Sequence, residues 1–550
     1  MENIKIIPFG GLGKIGKNML ALELNNSILI IDCGVMFPDE TMHGVDVVIP
    51  DYEYLQKRKD SIEGIVITHG HEDHIGGLPH ILPQLQAPVY GTALSMGLVS
   101  VKLKNTKSVK KNLINTVEPG EPFDLGPFNI TLFNVNHSIP DAAGIIIKTP
   151  LGTIVHTGDF KLDHTPVHGK PTDFHRISEV GDSGVLLLLS DSTYADTPGY
   201  TPSEEIVGKS LDRIIGEAPS RVIVASFASL ISRIQQIGNA AVNHNRKMGI
   251  VGRSMIDNVR LATEMGFLNL PSGTILSDNQ LKSHPPESTI IMTTGAQGEP
   301  TSALAKMSTN QHPSVTIQPE DTIILSSNPI PGNETSVART IDNLFKLGAN
   351  VLYSRVEQVH VRGHASQEEL KLLLRLVKPK FFVPIHGDHR HLVHHSRLAQ
   401  SVGMSEKSIF VMENGDVLDI NSKHKAKIAN KIPLRDNYVD GKETGKITNK
   451  ILKDRANLSK QGVFSISIAL DIETGDLVGN PEITSKGFIE TEESVSLIET
   501  ACEIVEDVLD SIEDKSDLKQ MERKISEQVS NFLYKQTRMR PVVITTSVEV

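Results

Sequence analysis

The feature that most constrains this chain is a run with four candidate metal ligands within six positions. The run, His69-Gly70-His71-Glu72-Asp73-His74, directly follows the apolar segment Gly64–Thr68, which has the composition of a buried strand. Imidazole and carboxylate groups are the ligands that zinc prefers where no thiolate is offered. A strand that ends in a tight turn and then begins a helix can direct alternate side chains at two neighbouring ions. The run therefore predicts a metal centre rather than a surface tract of histidines.

Further candidate ligands occur where later apolar segments end. The pairs are His137 after Ile130–Val135, Asp159 after Ile154–Thr157, and His386 after Phe381–Ile385. A single residue of this kind would more often cap a strand than bind a metal. Because all of them lie at the same end of predicted buried strands, the set predicts one shared site.

The chain is long enough for several domains, since 550 residues exceed what one hydrophobic core supports. In residues 1–201, short Val- and Ile-rich segments alternate with turn residues, which predicts two facing sheets. In 202–355, helical periodicity alternates with apolar strands, which predicts a parallel α/β domain. The strand–loop–histidine pattern returns in 356–420, so the α/β domain is predicted to be an insertion. A polar linker, 421–453, and a small C-terminal α/β domain, 454–550, complete the predicted organisation.

Charge and composition narrow the partners and the location. The formal net charge of −11 argues weakly against a nucleic-acid partner, because phosphate binding favours a basic surface. Two bound divalent ions would nevertheless supply local positive charge. Cys33 and Cys502 are the only cysteines, so we expect no disulfide framework and a cytoplasmic location. No apolar run reaches the ~18 residues of a membrane span and no signal-peptide pattern is present, so no membrane partner is expected.

The order of these motifs resembles that of a known family. A His-x-His-x-Asp-His signature, a downstream His, an Asp after Thr-Gly and a final His is the ligand order of the metallo-β-lactamase superfamily. Ser190–Thr193, the inserted α/β region, Gly363–Ser366 and Pro384–Gly387 resemble the β-CASP subgroup of nucleases, and nearly the full chain resembles the ribonuclease J family. This resemblance implies a metallo-β-lactamase αββα sandwich with an inserted β-CASP domain and a small C-terminal domain.

The resemblance also implies two zinc ions per subunit, with Mn²⁺ or Mg²⁺ as alternative occupants. The implied ligands are His69, His71 and His137 for one zinc, Asp73, His74 and His386 for the other, and Asp159 as the bridge. Asp191 and His364 match the family's positions for proton donor and acceptor. From the residues alone, His364 could instead be a structural cap, and Asp191 a strand-end cap or an orienter of a metal ligand.

By the same resemblance, two segments line a pocket for an RNA nucleotide and its 5′-phosphate. They are Ser229-Leu230-Ile231 and His360-Val361-Arg362-Gly363-His364. The first segment precedes a predicted helix, where exposed N–H groups suit a phosphate, and helix capping by Ser229 is the alternative. Arg362 departs from the family's pattern, which has a small hydroxyl residue there.

Two weaker patterns occur in the chain. Gly44, Asp46 and Asp440 correspond to a structural Ca²⁺ site in some relatives, and ordinary surface acids are the alternative. The run Gly11-Leu12-Gly13-Lys14-Ile15-Gly16 matches a dinucleotide-binding fingerprint, with Asp32 ending the next strand. That fingerprint must open a helix, whereas the residues from Asn18 to Leu24 have the composition of a strand, so dinucleotide binding is not expected.

The function that the resemblance implies is RNA hydrolysis by a two-zinc-activated hydroxide. It would combine 5′-to-3′ exonuclease and endonuclease activity, prefer 5′-monophosphate ends, and serve RNA maturation and decay. A homodimer or homotetramer is implied, together with other RNA-decay proteins as candidate partners. Two alternatives stay open: a small-molecule metallo-hydrolase, disfavoured by the insertion 202–355, and a catalytically silent scaffold, disfavoured by the complete ligand set.

Overall fold

The computed structural model describes residues 2–39, 41–106, 108–299, 301–330, 333–441, 443–445, 447–490, 494–512 and 517–550. The chain divides into two compact units. The first contains the residues up to Phe37 and Val48–Asn437, and the second contains Pro38–Val47 and Tyr438–Val550. Among the described residues, no helix is both long and apolar enough to cross a bilayer.

Two sheets form the metal-bearing part of the first unit. The strands of the larger sheet are, in spatial order, Ala426–Lys431, Asp416–Asn421, Asn3–Gly10, Met19–Leu24, Ser27–Ile31, Ile62–Val66, Val89–Gly91 and Ile114–Thr116. Those of the smaller sheet are Phe381–Ile385, Val185–Asp191, Gly152–His156, Ala143–Thr149, Phe128–Asn134 and Pro122–Leu125. Side chains from both sheets, such as Leu22 and Ile145, share one buried core, as the predicted sandwich requires.

Helices cover the outer faces of the sandwich. The helices Phe174–Ser183, Gln367–Val377 and His389–Ser401 share a buried cluster with the smaller sheet. Helix Ala93–Leu103 packs beside two strands of the larger sheet, and Leu78–Leu85 packs against that helix. The predicted αββα layering is confirmed. The strand predicted after the Gly11–Gly16 run is also confirmed, as Met19–Leu24.

The inserted region is a parallel sheet with helices on both faces, as predicted. Its strands are, in spatial order, Ile275–Leu276, Lys247–Val251, Thr289–Thr293, Val222–Ala225, Thr322–Leu325 and Asn350–Tyr353. Its helices are Glu204–Glu217, Ile231–Asn243, Arg253–Glu264, Asp278–Ser283, Ala303–Ser308 and Glu334–Lys346. Two separate buried clusters, one on each face of the sheet, form its core.

The segment predicted as a linker, 421–453, is partly regular instead. Strand Ala426–Lys431 pairs antiparallel with Asp416–Asn421, and helix Asn449–Gln461 begins inside the predicted linker. The composition is polar because the strand lies at the edge of its sheet, where most of its side chains face solvent. Polarity therefore reflected exposure and not irregular structure.

The second unit contains a three-stranded sheet covered by two helices. Strand Val463–Leu470 is central, flanked by Glu482–Lys486 and Val542–Glu549. Helices Val495–Asp510 and Leu518–Thr537 pack on it through Ala501, Val505 and Leu509, among others. These three side chains are buried in the core of this domain, whereas Val495 at the start of the same helix is 55% exposed.

Candidate metal centre

The first three predicted ligands converge at the edge of the sandwich. His69 follows strand Ile62–Val66 and is fully buried, and His71 stands at the start of the short helix Glu72–Ile75. Nδ1 of His71 lies 3.0 Å from Nε2 of His69 and 3.1 Å from Nε2 of His137. The three ring nitrogens thus face a common point, as ligands of one ion do.

The other predicted ligands form a second group that shares a carboxylate with the first. Nε2 of His386 and of His74 lie 3.3 and 3.5 Å from Asp73 Oδ2. Asp159 Oδ2 lies 3.1 Å from Nε2 of His74 and 3.7 Å from Nε2 of His69, so it stands between the two groups. In each group the ligand atoms lie within 4.8 Å of one another, and this cluster of imidazoles and carboxylates fits a divalent metal.

The nitrogens of these histidines that point away from the centre are also engaged. Nδ1 of His74 faces Asp32 Oδ2 at 2.8 Å, and Nδ1 of His137 faces the carbonyl oxygen of Gly363 at 2.7 Å. His69 and His386 use the hydroxyl groups of Thr68 and Thr193 in the same way, at 3.0 and 2.6 Å. Such outer contacts fix the tautomer and orientation of a ligand ring.

The electrostatics of the two groups differ. Burial lowers the pKa of His71 to about 4, and it holds those of His69 and His137 well below the usual range. These rings are therefore neutral, the form that binds a metal. Burial acts in the same direction on His74, but the carboxylates of Asp159, Asp73 and Asp32 outweigh it and raise its pKa well above 6.5. This negative surrounding favours a cation.

Asp191 and His364 form a buried pair beside the second group. Nδ1 of His364 lies 2.7 Å from Asp191 Oδ2. Burial disfavours both the positive charge of His364 and the negative charge of Asp191, but the attraction between the two residues favours both charged forms. Asp191 raises the pKa of His364, and His364 helps to hold the pKa of Asp191 well below its usual range. The proton of the pair therefore resides on His364. Asp191 also accepts from the backbone and hydroxyl of Thr193, so it caps a strand end as well.

Of the two predicted substrate segments, His360–His364 contacts the metal centre, and Ser229–Ile231 packs against His360–His364. Gly363 and His364 contact the centre directly, as described, and the Arg362 guanidinium stacks on the Tyr194 ring at 4.9 Å. Ile231 and Val361 belong to the same buried cluster, which links the two segments. Helix Ile231–Asn243 begins without a side-chain cap, so Ser229 does not act as the capping residue. Leu230 is buried, and Ser229 is half-buried.

The residues expected to hold calcium have a different partner. The Arg455 guanidinium donates to the carbonyl oxygens of His43 and Gly44, each at 3.0 Å, and to Asp440 Oδ2 at 2.8 Å. Asp46 Oδ2 accepts from the backbone N–H of Gly441. A guanidinium thus contacts His43, Gly44 and Asp440 where a cation was expected. A calcium ion would have to compete with it for these oxygens, and calcium binding here stays a prediction.

Two residues at the centre escaped the sequence analysis. The Asn18 side-chain amide donates to the backbone oxygen and the carboxylate of Asp73, at 3.0 and 3.1 Å, which orients that ligand. Glu369 lies in the first turn of helix Gln367–Val377, and its fully buried carboxylate accepts hydrogen bonds from several backbone N–H groups. No local signal distinguishes either residue, since an Asn before a strand and a Glu in a first helical turn are both common.

Comparison with family profiles covers most of the chain. The profile of the beta-lactamase superfamily domain matches residues 27–173, and that of the ribonuclease J beta-CASP domain matches 219–344. The Zn-dependent metallo-hydrolase RNA specificity domain matches 350–412, and the ribonuclease J C-terminal domain matches 450–550. The order of these matches is the predicted order of domains.

Full-length relatives agree with the profiles. The chain is 38% identical to Ribonuclease J2 of Bacillus subtilis, covering 100% of this chain and 99% of the relative. It is 40% identical to Ribonuclease J 1 of Streptococcus pyogenes, covering 99% and 97%. Among solved structures, a protein of unknown function from Enterococcus faecalis V583 matches with a TM-score of 0.53 and 15% identity, over 76% of this chain and 100% of that chain. At that identity the last match supports the fold alone.

Proposed function

The chain belongs to the ribonuclease J family, and from this membership and the geometry of the metal centre we propose that it is a metal-dependent ribonuclease. It removes nucleotides from the 5′ end of RNA and also cleaves internally. The observation that carries the proposal is the convergence of two ligand groups on the shared carboxylate of Asp159. Two ions that share a ligand are suited to in-line displacement at a phosphodiester.

The ligand set supports a pair of zinc ions. One would be held by His69, His71 and His137, the other by Asp73, His74 and His386, with Asp159 between them. When bound, such a pair supplies Lewis acidity that activates a water molecule and neutralises phosphate charge. The neutral imidazoles of the first group and the carboxylates around the second suit this occupancy.

Departure of the 3′-oxygen requires a proton, and His364 is the group that can deliver it. Its Nδ1 is held by Asp191 at 2.7 Å, and the pair keeps its proton on the imidazole. We assign proton donation to His364 and its orientation to Asp191, because an ionised carboxylate with a lowered pKa is a poor acid. Replacement of either residue slows cleavage without removing the metal ligands.

Recognition of the 5′ end is assigned to Ser229–Ile231 and His360–His364. Burial, together with the positive charges of Arg233 and Lys161, lowers the pKa of His360 to about 3, and its Nδ1 has no hydrogen-bond partner among the described residues. The Arg362 guanidinium in the same segment suits one terminal phosphate. A pocket with donors for a single phosphate explains a preference for 5′-monophosphate over 5′-triphosphate ends.

The test uses one RNA sequence with three different 5′ ends. Purified full-length protein with zinc is incubated with uniformly labelled RNA whose 5′ end is a monophosphate, a triphosphate or a hydroxyl. Release of mononucleotides from the monophosphate form, with slower release from the triphosphate form, is expected, and EDTA is expected to stop it. Internal fragments report endonuclease action. A protein that binds RNA but cleaves none of the three substrates would contradict the proposal and favour a scaffold role.

A further inference from the structure

A buried group of four charged side chains lies where the inserted domain meets the metal-bearing sandwich. Lys161, Asp163, Glu204 and Arg233 have side-chain exposures of 1, 1, 5 and 0%. Two of them follow the ligand Asp159 in the sandwich, and the other two belong to the first helices of the insertion. We call this group the crossing cluster.

Ion pairs link the members of the crossing cluster in a chain. Lys161 Nζ lies 3.4 Å from Asp163 Oδ2 and 3.8 Å from Glu204 Oε1. Arg233 Nη2 donates to Glu204 Oε2 at 2.6 Å. The two positive and two negative side chains balance, so no net charge is buried.

Arg233 extends this chain of contacts to the predicted substrate segment. Its Nη1 donates to the carbonyl oxygen of Val359 at 2.8 Å and to the Ser326 hydroxyl, which itself donates to the same carbonyl at 2.7 Å. Val359 immediately precedes His360. Four residues further on, the Gly363 carbonyl meets the ligand His137. The backbone of this segment is therefore held at one end by Arg233 and at the other by the metal centre.

Stability alone does not require such an arrangement. Burying four charges costs desolvation free energy that their mutual attraction only offsets, and apolar replacements of similar volume are often as stable. What the guanidinium supplies, and an apolar side chain cannot, is a planar fork with fixed directions to Glu204 and Val359. The cluster is thus suited to fixing position.

We propose that Arg233 and Glu204 are positioning residues that set the segment His360–His364 in register with the metal ligands, so that a 5′ end bound by the insertion presents its first phosphodiester to the centre. The inference rests on the proposed function. It predicts that loss of Arg233 impairs reaction of RNA, which spans both sites, much more than reaction of a small phosphodiester, which needs only the metals.

The test compares two substrates on full-length, zinc-loaded protein. Wild type, Arg233→Met and Arg233→Lys are assayed for kcat and KM on 5′-monophosphorylated RNA and on bis(p-nitrophenyl) phosphate, with zinc content and unfolding midpoint measured alongside. A displacement of about 1 Å costs roughly 100-fold in rate, so Arg233→Met is expected to lose about that factor in kcat/KM on RNA. Its small-diester activity and zinc content should stay close to wild type. Arg233→Lys keeps the buried positive charge, so its kcat/KM on RNA should lie between those of wild type and Arg233→Met.

A matched control and a milder variant complete the design. Arg260→Met removes an arginine of the same inserted domain whose side chain is 58% exposed. It should change the activity on neither substrate. Ser326→Ala removes the hydroxyl between Arg233 and Val359 while leaving all four charges, so it tests position even where Arg233→Met fails to fold. Selective loss on RNA in Ser326→Ala and Arg233→Lys supports the inference. Equal loss on both substrates, or none on either, overturns it while leaving the proposed function intact. A wild type inert on RNA would reject the proposed function first.

Discussion

Glu369 offers the sharpest test of how the sandwich holds the ends of the insertion. Its carboxylate accepts hydrogen bonds from the backbone N–H groups of Leu162 at 2.8 Å, Thr201 at 2.7 Å and Ser366 at 2.7 Å. Leu162 follows the predicted ligand Asp159, Thr201 lies where the chain leaves the sandwich, and Ser366 follows His364, the proposed proton donor. One fully buried side chain therefore ties three functionally distinct segments together.

The cost of removing this carboxylate follows from the contacts. A hydrogen bond to a charged group contributes about 1.5–3 kcal/mol, so Glu369→Ala, which leaves three N–H groups unsatisfied, should destabilise the fold by about 5 kcal/mol. In Glu369→Gln the amide oxygen can still accept the hydrogen bonds from the backbone N–H groups of Thr201 and Ser366. The NH₂ group then faces the N–H of Leu162, so that hydrogen bond is lost. The loss of one bond and the weakening of two others predict about 2–3 kcal/mol.

The assay is urea unfolding followed by circular dichroism, because the chain contains no tryptophan. The matched control is the adjacent Glu368→Gln, which removes only a half-exposed pair with Lys371 and should cost no more than about 0.5 kcal/mol. RNA cleavage by the folded fraction of Glu369→Gln should also fall, since His364 and Asp159 lose a common support. Equal unfolding midpoints for Glu369→Gln and Glu368→Gln would refute this reasoning.

Three further outcomes are expected. His71→Ala or Asp73→Ala should abolish RNA cleavage and lower bound zinc while the fold survives, and near wild-type cleavage by either variant would refute the ligand assignment. Arg455→Ala should destabilise the second unit by about 1 kcal/mol, since its ion pair with Asp440 is partly exposed. Calcium should not raise the melting temperature of the wild type, and a clear rise would show that calcium binds. Ending the chain at Thr448, before the helix that follows, should reduce self-association measured by light scattering and lower exonuclease activity, and an unchanged oligomer with full activity would contradict a role of the C-terminal domain in assembly.

The convergence of the predicted metal ligands could be anticipated because each of them stands next to its own local signal. His69, His137 and His386 follow apolar segments that form strands largely by their own composition, and the ends of neighbouring strands in one sandwich meet. The residues that orient the ligands gave no such signal. Asn18 and Asp73 are 55 positions apart, and Glu369 and Leu162 are 207 apart, so each contact exists only once the sandwich has folded.

Helix Ile231–Asn243 shows why the crossing cluster could not be predicted from the spacing of apolar residues in the sequence. Its apolar residues recur at helical spacing, and the polar residues between them would ordinarily face water. Here the polar side chains of the first two turns are buried as well: Arg233 is fully buried, and the Gln236 amide donates to the Glu204 backbone carbonyl at 2.7 Å. In sequence a buried charge and a solvated charge look alike, because the difference lies in the partner supplied by another segment. Here the covered polar face also links the helix to the sandwich, because Glu204 pairs with both Arg233 and Lys161. A buried polar face of this kind is therefore a place to look for residues that position a site in the neighbouring domain.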